Sequence, residues 1–202
     1  MQHFLSTFLG IEHQRIILAS QSPRRIQLLR DLGLNFEIHP AAIKETIPPE
    51  ADPIEIARKL AYEKAHAVYQ RVGGDLVIAA DTLVTLEGHI FPKPESVADA
   101  ARMLQTLQGT THEVITGLVL MTPQTLILDH GITRVTFYPM SDAEIAFYLT
   151  TQEPFDKAGA YAIQGKAAVF IEKIEGDFFN VVGFPVGKFF QHLKRLFPAN
   201  KR

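Results

Sequence analysis

Near its amino terminus the chain carries Ser20-Gln21-Ser22-Pro23-Arg24-Arg25, two small hydroxyl residues and two arginines around a proline suited to the first turn of a helix. Unpaired N–H groups at a helix start attract anions, and arginine forks match phosphate oxygens in pairs. Ordinary capping by Ser22 with solvated arginines is the plainer reading. Cations at the positive end of a helix are unfavourable, however, and a bound anion would offset them.

Other residues join this segment as candidates. On a 3.6-residue period Ala57, Leu60, Ala61, Lys64 and Val68 share one stripe, so Lys64 faces the core, where its stem packs while the ammonium either snorkels to water or meets a partly buried anion. Asp81 follows the apolar run Leu76-Val77-Ile78-Ala79-Ala80, which predicts a buried strand with the carboxylate at its carboxyl end. There it can ligate a divalent cation or position water, or simply make a turn. Thr82 beside it bonds a substrate edge or its own backbone. Glu45, in a loop, is a second carboxylate for a metal or a solvated side chain. Lys93 is stiffened between Pro92 and Pro94. The amide of Gln164, next to Gly165, suits the edge of a base and equally a plain turn.

The elements that must position these groups read as α/β with mixed strand directions. A strand at Ile16-Ile17-Leu18-Ala19 runs through the Ser20 turn into a helix ending at Gly33, and residues 35–39 form a second strand. A long helix spans about 53–72 and closes at Gly73-Gly74. A hairpin turns at Glu87-Gly88. Ser96 with Asp99, and Ser141 with Glu144, make capping boxes for two further helices. Three strand-like runs divide residues 112–138 at Pro123 and at His130-Gly131. A hairpin over 170–182 turns at Glu175-Gly176-Asp177, and an amphipathic helix follows Pro185.

Taken in order, Ala19-Ser20-Gln21-Ser22-Pro23-Arg24-Arg25, Glu63-Lys64-Ala65, Ala80-Asp81-Thr82, Lys93-Pro94, Asp156-Lys157-Ala158-Gly159-Ala160-Tyr161-Ala162-Ile163-Gln164-Gly165 and Asn180-Val181-Val182-Gly183-Phe184-Pro185 resemble the Maf family of nucleoside triphosphate pyrophosphatases. Each motif is weak singly; the ordered set is specific. The Ala-Gly-Ala-Tyr and Ile-Gln-Gly strings resemble the branch acting on dTTP and UTP. Pro92 and Ala162 depart from the usual pattern without removing a functional side chain.

The resemblance implies cleavage between the α and β phosphates, giving a monophosphate and pyrophosphate. It places the proton acceptor on Asp81, phosphate binding on Ser20, Arg24, Arg25, Lys64 and Lys93, and specificity on Arg24, Thr82 and Gln164. Mg²⁺ or Mn²⁺ is expected on Asp81 and Glu45. The implied fold is an elongated mixed β-sheet with flanking helices and a deep cleft, like that of the inosine triphosphate pyrophosphatases, Maf and Ham1 alike, often as a homodimer. The rival expectation is a nucleotide-binding regulator of septum formation and cell division with little turnover.

Composition sets the outer bounds. The chain has 202 residues, 47% hydrophobic and 21% charged, enough for one real core, so residues 15–202 are read as a single bilobed domain and residues 1–14 as an amino-terminal extension. A net charge of −2 supplies no global field for nucleic acid or anionic membrane, so any anion must be bound by local clusters. The small nucleotide expected as partner is what the resemblance implies. No cysteine is present, which removes disulfides, thiolate metal sites and cysteine nucleophiles. No signal peptide or spanning run is legible, and a cytoplasmic location is expected.

Overall fold

The computed structural model describes residues 3–43 and 51–198. Its first element is a short helix, α1 (Phe4–Leu9), followed by a wholly buried strand, β1 (Ile16–Leu18), and by α2 (Pro23–Asp31). Pro23 opens α2, yet Ser22 at the N-cap position makes no side-chain cap; Ser20 Oγ instead accepts from Ser22 N at 3.2 Å. The second strand shortens to β2 (Glu37–Ile38). The long helix α3 (Pro53–Val72) is capped by Asp52, which accepts from Ile54 N at 3.0 Å.

The apolar run does not stop at Asp81. It continues as β3 (Leu76–Leu86), which turns back at Glu87 and Gly88, φ 52° and 82°, into β4 (His89–Phe91). Both turn residues sit in the left-handed region, the geometry of a tight hairpin whose twist matches its strands. In α4 (Val97–Leu107), Ser96 accepts from Asp99 N, but Asp99 turns its own carboxylate to Glu95 N at 3.0 Å, so the expected reciprocal box is not closed.

Two long strands, β5 (Thr111–Met121) and β6 (Leu126–Phe137), replace the three expected runs, and His130-Gly131 lies inside β6. Gly131 is no break there. A Cβ at that position would stand 2.3 Å from Asn180 Oδ1, so the glycine makes room for a side chain packed across the strand. The capping box of α5 (Asp142–Leu149) forms as read. Three 3₁₀ turns, Glu153–Asp156, Ala158–Ala160 and Lys166–Phe170, lead into β7 (Ile171–Glu175). The expected hairpin over 170–182 is instead this strand followed by a helix, α6 (Phe178–Val182): Asp177 accepts from Phe179 N at 2.8 Å and starts a helical turn. The last helix is α7 (Val186–Leu196).

The seven strands form one mixed sheet in the order β2-β1-β3-β5-β6-β7, with β4 also against β3. One edge of β3 is paired with β5 from Val77 to Thr85. The other edge is divided, with β1 running parallel to residues 76–78 and β4 antiparallel to residues 84–86. Between them, residues 79–83 have no strand partner on that side among the described residues. This gap in the sheet is where the site forms.

Buried side chains pack into clusters on either side of the gap. One joins Val84, Leu104, Val135, Phe137, Tyr148 and Tyr161; another joins Leu18, Leu29, Ile78, Leu120, Phe184 and Phe189, with Leu5, Leu9 and Ile11 from the amino-terminal segment. On the opposite sheet face, α3 lays Ala61, Ala65 and Val68 on Ile17, Val77 and Val119. The helix comes close because β5 carries Gly117 beneath it; a Cβ there would be 2.2 Å from the Ala57 carbonyl oxygen. No helix among the described residues is long and apolar enough to cross a membrane.

Candidate functional site

Side chains alternate faces along a strand, and directly opposed residues of an antiparallel pair share one. Asp81 opposes Gly117 and Thr82 opposes Thr116. Asp81 therefore projects toward α3, while Thr82 projects to the other face, toward α2 and the segment after α6. The two neighbours address the cleft from opposite sides of the sheet gap.

On the α3 side, the Lys64 ammonium is ion-paired to Asp81 Oδ1, and the two side chains are only 15% and 9% exposed. The buried-stripe reading of Lys64 thus places a cation on the key carboxylate rather than in open solvent. An ion pair this deep offsets the cost of desolvating either charge only while both partners remain.

On the other side, Arg25 reaches three acceptors among the described residues. Its Nε donates to the Gly183 carbonyl at 2.8 Å, Nη2 to Thr82 Oγ1 at 2.9 Å, and Nη1 to Ser20 Oγ at 3.4 Å. The guanidinium ties the α2 turn to β3 and to residue 183, far along the chain. Gly183 is suited to its place, with φ 112° and a virtual Cβ only 3.2 Å from Thr82 Oγ1.

Arg24, one residue earlier, spans the cleft to Asp156, with Nη1 3.8 Å from Oδ2. Asp156 also pairs with Lys157, whose ammonium donates to the Glu153 carbonyl at 3.1 Å. Burial pushes the Asp156 carboxyl up, but the Lys157 hydrogen bond and the charges of Lys157 and Arg24 outweigh it and leave it below its ordinary value. The Gln164 loop is held by Glu153, whose carboxylate accepts from Lys166 N at 2.8 Å, Ala167 N at 3.2 Å and the Tyr148 hydroxyl at 2.9 Å.

Ser20, Arg24, Arg25, Lys64, Asp81, Thr82, Lys93 and Gln164 all line one cavity of about 620 Å³, a size that accommodates a small ligand. Every described residue singled out from the sequence converges there. Glu45 lies outside the described residues. Sequence reasoning missed Thr116, Asp156 and Glu153; a threonine on the inward face of the apolar run Val114-Ile115-Thr116-Gly117-Leu118 was the available signal for the first.

A family model described as Maf-like protein matches residues 15–196. The chain belongs to the Maf family. Among its relatives, the dTTP/UTP pyrophosphatase of Koribacter versatilis (strain Ellin345) is 47% identical over 180 residues, spanning 89% of this chain and 93% of that protein. The protein of the same name from Bacillus cytotoxicus is 42% identical over 182 residues, spanning 90% and 95%. The solved structure of the Staphylococcus aureus Ham1 protein superposes with a TM-score of 0.54 at 14% identity, covering 90% of this Maf chain and 99% of Ham1. That likeness concerns the fold, and it agrees with the expected mixed sheet, flanking helices and cleft.

Proposed function

We propose that this Maf protein is a nucleoside triphosphate pyrophosphatase that hydrolyses dTTP and UTP to the monophosphate and pyrophosphate. The observation that carries the reading is the Asp81 carboxylate, buried at the sheet gap on Lys64 and opening on the same cavity as Ser20, Arg24 and Lys93. The names of the Koribacter and Bacillus relatives support the same substrates.

In this mechanism Asp81 accepts a proton from the water that attacks the α-phosphorus. The new P–O bond forms as the bond from that phosphorus to the bridging oxygen breaks, and pyrophosphate leaves. Lys64 holds the Asp81 carboxylate in one orientation. Arg24 and Lys93, with Ser20 at the α2 turn, bring positive charge and donors to the triphosphate, the kind of fixed electrostatic stabilisation on which phosphoryl chemistry depends. Gln164 offers donor and acceptor together to the O4 and N3–H edge shared by thymine and uracil.

Among the described residues no three His, Cys, Asp or Glu side chains stand close enough to cage a metal ion. One buried carboxylate beside a polyphosphate site nonetheless fits Mg²⁺ or Mn²⁺, since Mg²⁺ is commonly held by one or two carboxylates plus substrate phosphates and water. Asp81 would be that anchor, with Glu45 the proposed second ligand. When bound, the ion supplies charge neutralisation at the phosphates.

A panel of dTTP, UTP, GTP and 7-methyl-GTP with Mg²⁺, read by pyrophosphate release, tests the proposal. Fast release from dTTP and UTP is the expected result. Faster hydrolysis of GTP or 7-methyl-GTP would overturn the pyrimidine preference, and tight binding without turnover of any nucleotide would favour the regulatory reading.

A further inference from the structure

Thr116 is fully buried and does not line the cavity, yet it decides which way the Thr82 hydroxyl points. Thr116 Oγ1 lies 2.9 Å from the Asn180 carbonyl oxygen and 3.0 Å from Thr82 Oγ1. A carbonyl oxygen only accepts, so the bond to Asn180 consumes the single proton of Thr116. Thr82 must then donate its own proton to Thr116. In the reverse arrangement Thr116 would donate to Thr82, and Thr82 would have to donate to the Gly183 carbonyl, which lies at 3.5 Å and already accepts from Arg25 Nε at 2.8 Å. At that length an O–H···O contact contributes little, so the first arrangement wins by one full hydrogen bond.

Asn180 is itself fixed. It is fully buried, and its side-chain nitrogen donates to the Val114 carbonyl at 2.9 Å and to Thr133 Oγ1 at 3.1 Å, anchoring α6 across β5 and β6. Arg25 Nη2 donates to Thr82 Oγ1 at 2.9 Å. With its proton turned inward and one lone pair taken by Arg25, Thr82, which lines the cavity, has one lone pair left to accept from a donor. We infer that Thr116, through the relay Thr82–Thr116–Asn180, is a positioning residue that fixes Thr82 as a hydrogen-bond acceptor, so that this part of the cavity selects a nucleoside group that donates.

The inference deepens the pyrophosphatase reading and rests on it for the nature of the ligand. The donor is a sugar hydroxyl, or else the pyrimidine N3–H, in which case Gln164 keeps only its bond to O4. The two sources are separated by comparing dTTP with dCTP, whose N3 is an acceptor, and with 2′,3′-dideoxythymidine triphosphate, which lacks the 3′-hydroxyl. In Thr116→Val the Thr82 proton is released and can turn into the cavity. The ratio of kcat/KM for dTTP over one of the two analogues should fall about tenfold, the usual worth of one matched hydrogen bond, and Thr116→Ser should restore it.

The ratio that moves names the donor. A residue with a merely structural role would lower all three substrates together. If Thr116→Val fails to fold, Thr82→Val, which removes the acceptor, should lower the same ratio. Wild-type ratios for both analogues in either folded variant would overturn the inference. If the wild-type protein turns over none of these nucleotides, the pyrophosphatase reading fails instead. The same ratios are then read as dissociation constants by calorimetry, using the α,β-methylene forms of the three nucleotides.

Discussion

Asp81 and Thr82 show how much chemistry two adjacent residues can divide between them. Alternation along β3 sends the carboxylate to the α3 face, where Lys64 meets it, and the hydroxyl to the opposite face, where Arg25 and Thr116 meet it. Replacing Asp81 by Asn should lower kcat by at least about 10²-fold, the usual scale for a general base, while dTTP still binds. Calorimetric affinity beside single-turnover rates would check both halves, and full turnover in the folded variant would overturn the assignment. The same substitution removes the negative charge of one partner from a buried ammonium, so the melting temperature should fall as well. At this scale the sequence was informative about residue type. The ends of apolar runs, the core-facing lysine and the arginine pair were legible; the inward turn of the Thr82 proton was not, because it depends on Thr116 and Asn180, brought to it by strand pairing and by packing of α6.

At the scale of elements, the site is an interruption in the sheet. β1 and β4 each take part of one edge of β3, and the stretch between them faces the cavity. The length of α3 and the hairpin at Glu87-Gly88 were legible, since caps and glycines punctuate them locally. The gap was not, because an apolar run does not show which partner lies alongside, and so Asp81 was expected at a strand end rather than mid-strand. The 170–182 segment misled for a related reason: Gly176-Asp177 reads equally as a hairpin turn and as a helix start, and the Asp177 cap on Phe179 decides it.

Beneath the Gln164 loop, β5 contributes His112, buried at 1% exposure against Phe137 and Tyr161, with the Tyr161 hydroxyl 2.8 Å from Nε2. Burial holds this imidazole at about 4, below its ordinary 6.5. A folded-state value below the unfolded one means that the unfolded chain binds the proton first. Stability is therefore complete above pH 6.5 and declines as the pH falls toward 4, by up to about 3 kcal/mol. Melting temperatures of the wild type and of His112→Gln across that window should converge on the acid side. Parallel curves would show that His112 does not set the decline.

For the whole molecule, the amino-terminal segment lies outside the matched family region yet is built into the core. The N–H groups of Leu5 and Ser6 donate to the carbonyls of Leu32 and Gly33, and Leu5, Leu9 and Ile11 are buried. Each such side chain contributes about 1.5–3 kcal/mol when removed from water. A chain beginning at Gln14 should consequently melt several degrees lower while retaining kcat/KM for dTTP, since none of the removed residues lines the cavity. An unchanged melting temperature, or a selective loss of activity, would contradict this division of labour.

Gly117 carries a last consequence, one of mechanical tolerance. The helix rests on bare backbone opposite Asp81, and Lys64 sits about 10 Å farther along it than Ala57. A single methyl at residue 117 would act as a shim under one end of a lever whose other part carries the ammonium. Gly117→Ala would leave every reactive group present and yet misalign Lys64 with Asp81, so its defect should appear in kcat more than in KM. The working clearance of this enzyme is set by an atom its sequence leaves out.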